Sequence, residues 1–120
     1  MSKFPVTLYH NPACPTSRRV LALIEAHGHL PTIVRYLETG WTRDRLEALF
    51  HAMHLRPRDL LRRQSPLAAE LGLLEEGVSD ERILVAMVHH PELVERPIVT
   101  TPLGTRLCRP AEQVESLLGA

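Results

Sequence analysis

Apolar residues along this chain alternate between two spacings, and Gly and Pro mark most of the changes. Val6-Thr7-Leu8-Tyr9 is a short apolar run and predicts a strand. The spacing then turns helical. Val20, Leu23 and Ile24 recur at i, i+3 and i+4, placing one buried stripe on a helix from Pro15 to Ala26, with Gly28 as its stop. Pro31-Thr32-Ile33-Val34-Arg35-Tyr36-Leu37 is rich in β-branched and aromatic residues and predicts a second strand. Strand, helix and strand joined by short connections predict a right-handed βαβ unit with a parallel pair.

The middle of the chain is helical throughout. Thr42 caps a helix with Leu46, Leu49, Phe50 and Met53 inward, and Trp41 packs locally just before it. Pro57 begins a short basic helix, and Pro66–Leu71 forms another that ends at Gly72. Ser79 caps a longer helix with Asp80 and Glu81 in its first turn and His89 and His90 in its last, an order that complements the helix dipole. Its buried face is Ile83, Leu84, Met87 and Val88, and Pro91 ends it. Pro97–Thr101 and Thr105–Cys108 then flank Pro102-Leu103-Gly104 as a hairpin, and Pro110 opens a last helix with Val114, Leu117 and Leu118 inward. With the middle removed, the order is βαβ…ββα. This is the thioredoxin-like α/β fold, with a mixed four-stranded sheet. We expect one domain, 1–120, whose core is about 4–40 and 92–120, interrupted by a helical insertion at about 41–91. That fold places a cis proline facing the active-site thiol, and Arg96-Pro97 stands at the matching place.

Composition narrows the function classes. The 120 residues are 44% hydrophobic and 23% charged with a formal net charge of zero, so no global field favours nucleic acid or an anionic membrane. The sequence shows neither a signal segment nor an apolar run of membrane-spanning length. Cys14 and Cys108 do not form the disulfide framework of a secreted protein, which predicts a reducing, cytoplasmic home. Lys3 is the only lysine among fourteen basic residues. Arginine binds oxyanions in a planar, bidentate way that lysine cannot.

The candidate chemistry centres on His10-Asn11-Pro12-Ala13-Cys14-Pro15-Thr16-Ser17-Arg18, where strand gives way to helix. Pro15 suits the first helical position, which makes Cys14 the cap residue with the free N–H groups of the first turn near its sulfur. A helix N-terminus lowers a thiol's pKa and binds anions. The stretch therefore offers a nucleophile and an anion pocket, with a buried structural cysteine as the alternative. A low-molecular-weight phosphatase would need Cys-x5-Arg, but position 20 is Val20. The His51/His54 and His89/His90 pairs read as helix surface, since no cysteine or carboxylate completes a tetrahedral metal set. Cys108 neighbours Arg109 on a strand and should face the other way, as a structural residue.

Several stretches resemble the glutaredoxin-coupled arsenate reductases: Tyr9-His10-Asn11-Pro12-Ala13-Cys14, Tyr36-Leu37-Glu38-Thr39, Leu60-Leu61-Arg62, Arg96-Pro97-Ile98-Val99 and Thr101–Pro110. The resemblance spans nearly the whole chain. It implies that Cys14 attacks arsenate, that Arg62, Arg96 and Arg109 clamp the oxyanion, and that His10 lies near the thiolate and helps set its charge. It also implies Ser17 as a catalytic residue that, with the loop amides, adds further donors, and Asn11 as an oxyanion-binding residue beside the arginines. Glutathione would be the cosubstrate and glutaredoxin the partner, with no bound cofactor or metal and a monomeric chain. Many relatives carry Gly after the nucleophile. Pro15 donates no N–H, so here the clamp leans more heavily on the arginines. Two other readings stay open: a regulatory or binding protein on the same scaffold, and a glutathione-linked reductase of another oxyanion. Regulators of this branch commonly carry Cys-x-x-Cys, which Cys14-Pro15-Thr16-Ser17 lacks.

Overall fold

The computed structural model describes residues 5–119; the expected core boundary at residue 4 and the chain ends at 1 and 120 lie outside the described residues. The chain forms two compact units, one running up to Thr39 and resuming at Arg96, the other comprising Gly40–Glu95.

The first unit carries the sheet. Its elements are β1 (Thr7–Tyr9), α1 (Pro15–Ala26), β2 (Thr32–Val34), α2 (Tyr36–Thr39), and, after the second unit, β3 (Ile98–Thr101), β4 (Gly104–Leu107) and a 3-10 helix over Ala111–Leu117. Strand order is β2-β1-β3-β4. β1 runs parallel to β2 and antiparallel to β3, and β3 pairs antiparallel with β4. This is the expected thioredoxin-like α/β arrangement with a mixed four-stranded sheet. One face of it meets α1 and the last helix around Val6, Leu8, Val20, Ile24, Val99, Cys108, Ala111, Val114, Leu117 and Leu118. Each fully buried aliphatic side chain there contributes about 1.5–3 kcal/mol relative to exposure.

Three details differ from the sequence reading. The second strand ends at Val34, not Leu37. Among the described residues β2 is an edge strand paired with β1 alone, and the His10 N–H to the Val34 carbonyl is the last rung before β1 turns into the cysteine loop. Beyond that rung the Arg35 carbonyl accepts from the N–H groups of Glu38 and Thr39 instead, so the chain coils into α2 and buries Tyr36. The last helix is 3-10 rather than α. Its three-residue turn lines up Ala111, Val114 and Leu117, all buried. The hairpin turn holds only Pro102 and Leu103, while Gly104 pairs with Thr101 in the ladder at φ +145°, a conformation that favours glycine.

The second unit contains α3 (Arg43–Met53), a 3-10 turn (Pro57–Leu60), α4 (Pro66–Glu70), α5 (Asp80–His89) and a 3-10 turn (Pro91–Leu93). Thr42 Oγ1 accepts from the Arg45 N–H and Ser79 Oγ from the Arg82 N–H, each at 3.1 Å, so both expected caps are formed. Met53, expected inward, is half-buried; Leu46, Leu49 and Phe50 hold the stripe. Leu61 makes an isolated antiparallel bridge with Val94. Asp80 at the start of α5 accepts from Arg56 Nε and Arg58 Nε, both at 2.7 Å, which ties the turn at Pro57 to α5.

Candidate active site

The first unit builds the site at the start of α1. Cys14 has extended backbone angles, φ −90° and ψ 120°, and is the N-cap of a helix whose first residue is Pro15. Pro15 has no N–H to offer, so the first-turn amides that act on the sulfur are those of Thr16 and Ser17, although neither closes a full cap hydrogen bond on it. Burial by itself pushes the Cys14 thiol up. The Ser17 N–H, the Arg96 guanidinium through a hydrogen bond and its charge, and the Thr16 N–H together outweigh it, and the thiol lies below its ordinary value.

Local hydrogen bonds hold this loop in shape. Asn11 Oδ1 accepts from the Ala13 N–H at 3.0 Å, and the Asn11 carbonyl accepts from the Cys14 N–H at 3.0 Å. The Asn11 N–H donates to Ser17 Oγ at 3.1 Å, and a 2.6 Å hydrogen bond joins Ser17 Oγ to His10 Nδ1. Arg18 closes the loop from outside, its Nη1 donating to the Pro12 carbonyl at 2.9 Å and its N–H to the Cys14 carbonyl at 3.0 Å. Ser17 and His10 are both buried. Burial and the nearby charges of Arg35 and Arg18 hold His10 below the usual imidazole range, so it is neutral at pH 7.

This geometry redistributes roles among the expected residues. The hydroxyl of Ser17, expected as a further donor beside the thiolate, is joined to His10 Nδ1 and accepts from the Asn11 N–H; the backbone N–H of Ser17 is the group of this residue that acts on the sulfur. His10 reaches the thiolate's surroundings through Ser17. The Asn11 side-chain carbonyl shapes the turn.

Two of the three expected arginines belong to this unit. The β3–β4 register pairs Ile98 with Leu107, and two residues further along it sets Arg96 opposite Arg109. The Cys108 N–H donates to the Pro97 carbonyl at 2.9 Å and Arg109 Nη1 to the Arg96 carbonyl at 3.1 Å, so the hairpin ends stay joined beyond the ladder. Arg96 Nε is buried and has no hydrogen-bond partner among the described residues. An unsatisfied buried guanidinium N–H is costly, and an oxyanion beside Cys14 would satisfy it. Arg62 belongs to the second unit; its N–H donates to the Leu93 carbonyl at 2.8 Å, and Leu60 and Leu61 before it are buried. Among the described residues, no group of three or more His, Cys, Asp or Glu side chains could hold a metal ion.

Arg96-Pro97 is cis, as that fold requires, and so is Arg109-Pro110. The sequence reading missed the second, and the Arg-Pro pair itself gives no signal, since Arg56-Pro57 is not among the cis bonds. It also missed Arg18 and Arg35 as the charges acting on His10, because which exposed arginines lie near a given imidazole depends on the folded arrangement.

Comparison with known proteins gives this constellation its family. An arsenate reductase of Synechocystis, ArsI1, is 55% identical over 118 residues, covering 98% of this chain and 82% of its own length. The arsenate reductase of Escherichia coli K12 is 51% identical over 113 residues, covering 94% and 80%. The solved structure of an arsenate reductase from Vibrio cholerae superposes with a TM-score of 0.91 at 40% identity, over 96% of this chain and 98% of that one. The family model described as the ArsC family matches residues 9–117, from the strand before the thiol to the last helix, and the chain belongs to that family.

Proposed function

We propose that this protein is an arsenate reductase in which Cys14 attacks bound arsenate and glutathione with glutaredoxin supplies the electrons. The observation that carries the reading is a buried cysteine at a helix start with the Arg96 guanidinium acting on its sulfur, and an Arg96 Nε that is buried with no hydrogen-bond partner among the described residues. The thiolate forms a sulfur–arsenic bond as one arsenate oxygen, taking up protons, leaves as water. Glutathione then attacks the adduct. Its sulfur bonds arsenic as a second oxygen, taking up protons, leaves as water. The glutaredoxin thiolate then attacks the glutathione sulfur; the electron pair of the arsenic–sulfur bond stays on arsenic, reducing it from As(V) to As(III), and glutathione departs as a mixed disulfide with glutaredoxin. Water hydrolyses the remaining bond to Cys14, releasing arsenite and the free thiol. No second cysteine stands in a Cys-x-x-Cys pair, which fits an external resolving thiol.

Arg96 and Arg109 offset the charge that would otherwise keep arsenate away from a thiolate, each charge-assisted hydrogen bond contributing about 1.5–3 kcal/mol. For Arg62 the support is the resemblance of Leu60-Leu61-Arg62 alone. His10, neutral and bonded to Ser17, keeps that residue's backbone N–H aimed at the sulfur. In this reading the protein works as a cytoplasmic monomer with no bound cofactor and no nucleic-acid or membrane partner. No helix among the described residues is long and apolar enough to cross a membrane. The test is arsenite production from arsenate with glutathione and glutaredoxin supplied. Wild type should turn over and Cys14→Ser should not; equal rates would sink the reading.

A further inference from the structure

Arg109 makes a contact that anion binding does not require. Its Nη1 donates to the main-chain carbonyl of Arg96 at 3.1 Å, across the open end of the β3–β4 hairpin. Arg96 is the residue whose guanidinium reaches Cys14, and it lies outside the regular ladder, two residues before the first β3–β4 pair. The last backbone tie on this side is the Cys108 N–H to the Pro97 carbonyl, so the Arg109 side chain supplies the next rung. A guanidinium has five N–H donors in a rigid fork. With Nη1 on the carbonyl, Nε and Nη2 stay available for an anion.

We propose that Arg109 is a positioning residue for Arg96, its hydrogen bond holding the backbone from which Arg96 reaches Cys14, so that thiolate and cation are assembled before any oxyanion arrives. The proposal rests on the reading of Cys14 as nucleophile and extends it to the anion-free protein. Groups around the sulfur are the Thr16 and Ser17 amides from α1 and the Arg96 guanidinium from the segment before β3; Arg18 and Arg35 bear on the neighbouring His10. The contact Arg109 makes toward this group is with the Arg96 carbonyl, at 3.1 Å. The double variant below tests whether its influence on the sulfur passes through Arg96.

The experiment measures the Cys14 pKa from the pH dependence of alkylation, without arsenate or phosphate, in wild type, Arg109→Met, Arg109→Lys, Arg96→Met and the Arg96→Met/Arg109→Met double variant. Arg109→Met should raise the pKa by about half a unit. Arg109→Lys, which keeps a donor for the carbonyl, should stay near wild type. In the Arg96→Met background, Arg109→Met should add nothing. An Arg109→Met shift of equal size with and without Arg96 would mean a direct charge effect and overturn the proposal, as would an unchanged pKa in Arg109→Met. Thermal melts of each variant accompany the titrations; a folded Arg109→Met protein with wild-type pKa counts against positioning. Failure of the parent reading is separately visible as a wild type that makes no arsenite.

Discussion

The start of α1 and the end of β4 each bury one free cysteine in the same unit, with opposite consequences. Cys14 is 4% exposed and its thiol lies below the ordinary value; Cys108 is fully buried and its thiol is pushed up to about 12. Burial acts on both in the same direction. The difference is what else each sulfur meets. Cys14 has two helix-start amides and a guanidinium, whereas Cys108 sits among the aliphatic residues of the core, its S–H donating weakly to the Arg106 carbonyl at 3.6 Å. Cysteine burial therefore does not decide reactivity; the donors aimed at the sulfur do.

The largest expected effect separates the two thiols by function. Cys14→Ser should lower arsenate turnover by about a thousandfold or more, while Cys108→Ala stays within about twofold of wild type. Comparable losses in the two variants would break the contrast. Cys108→Ala should instead cost about 1 kcal/mol of stability, read from denaturant melts, because it opens space in a packed core.

Next comes the guanidinium. Arg96→Met should reduce kcat/KM for arsenate by roughly ten- to a hundredfold, the loss of about 1.5–3 kcal/mol of charge-assisted bonding, and should raise the Cys14 pKa. A variant with normal arsenate kinetics and an unshifted thiol would remove Arg96 from the sulfur's surroundings.

Stability against pH sharpens the same comparison with a sign. The folded-state pKa of Cys108 is raised, so its contribution is complete below the ordinary thiol value and is lost as pH climbs toward about 12. Cys14 behaves in the opposite sense: its folded-state pKa is depressed, so its contribution is present above the ordinary value and fades as pH falls through the depressed one. The stability gap between wild type and Cys14→Ser should therefore widen from neutral to mildly alkaline pH. A gap that narrows would contradict the thiolate's environment.

The smallest effect lies in the second unit, where three arginines are paired with carboxylates: Arg43 with Glu81, Arg56 and Arg58 with Asp80. Asp80→Asn should cost about 0.5–1 kcal/mol, held down by solvent screening. The two guanidiniums keep the Asp80 carboxyl below its ordinary range, so this contribution is present above the unfolded-state pKa and is lost in acid. Chemical melts at neutral and acid pH would show it; an equal cost at both would mean that the ion pairs are not its source.

Local pattern made much of this legible. The helix after Cys14 was readable because Pro15 can only open one and Gly28 ends it, and the caps at Thr42 and Ser79 follow from side chains that bond their own first turns. Cys14 at a helix start, the element order and the family's matched stretches lie within short sequence windows. The end of β2 at Val34 was not readable, because it depends on where β1 stops offering a partner. The 3-10 form of the last helix was hidden too, since Val114, Leu117 and Leu118 fit either helical period. Only the tertiary structure decided that the Ser17 hydroxyl turns to His10, that Arg109 grips the Arg96 carbonyl, and that Arg96 keeps a buried N–H without a partner among the described residues. Those outcomes depend on directions and distances between segments far apart in the chain. The order of residues sets which donors exist, but hydrogen bonding and electrostatics act only once folding has brought the donors to the sulfur.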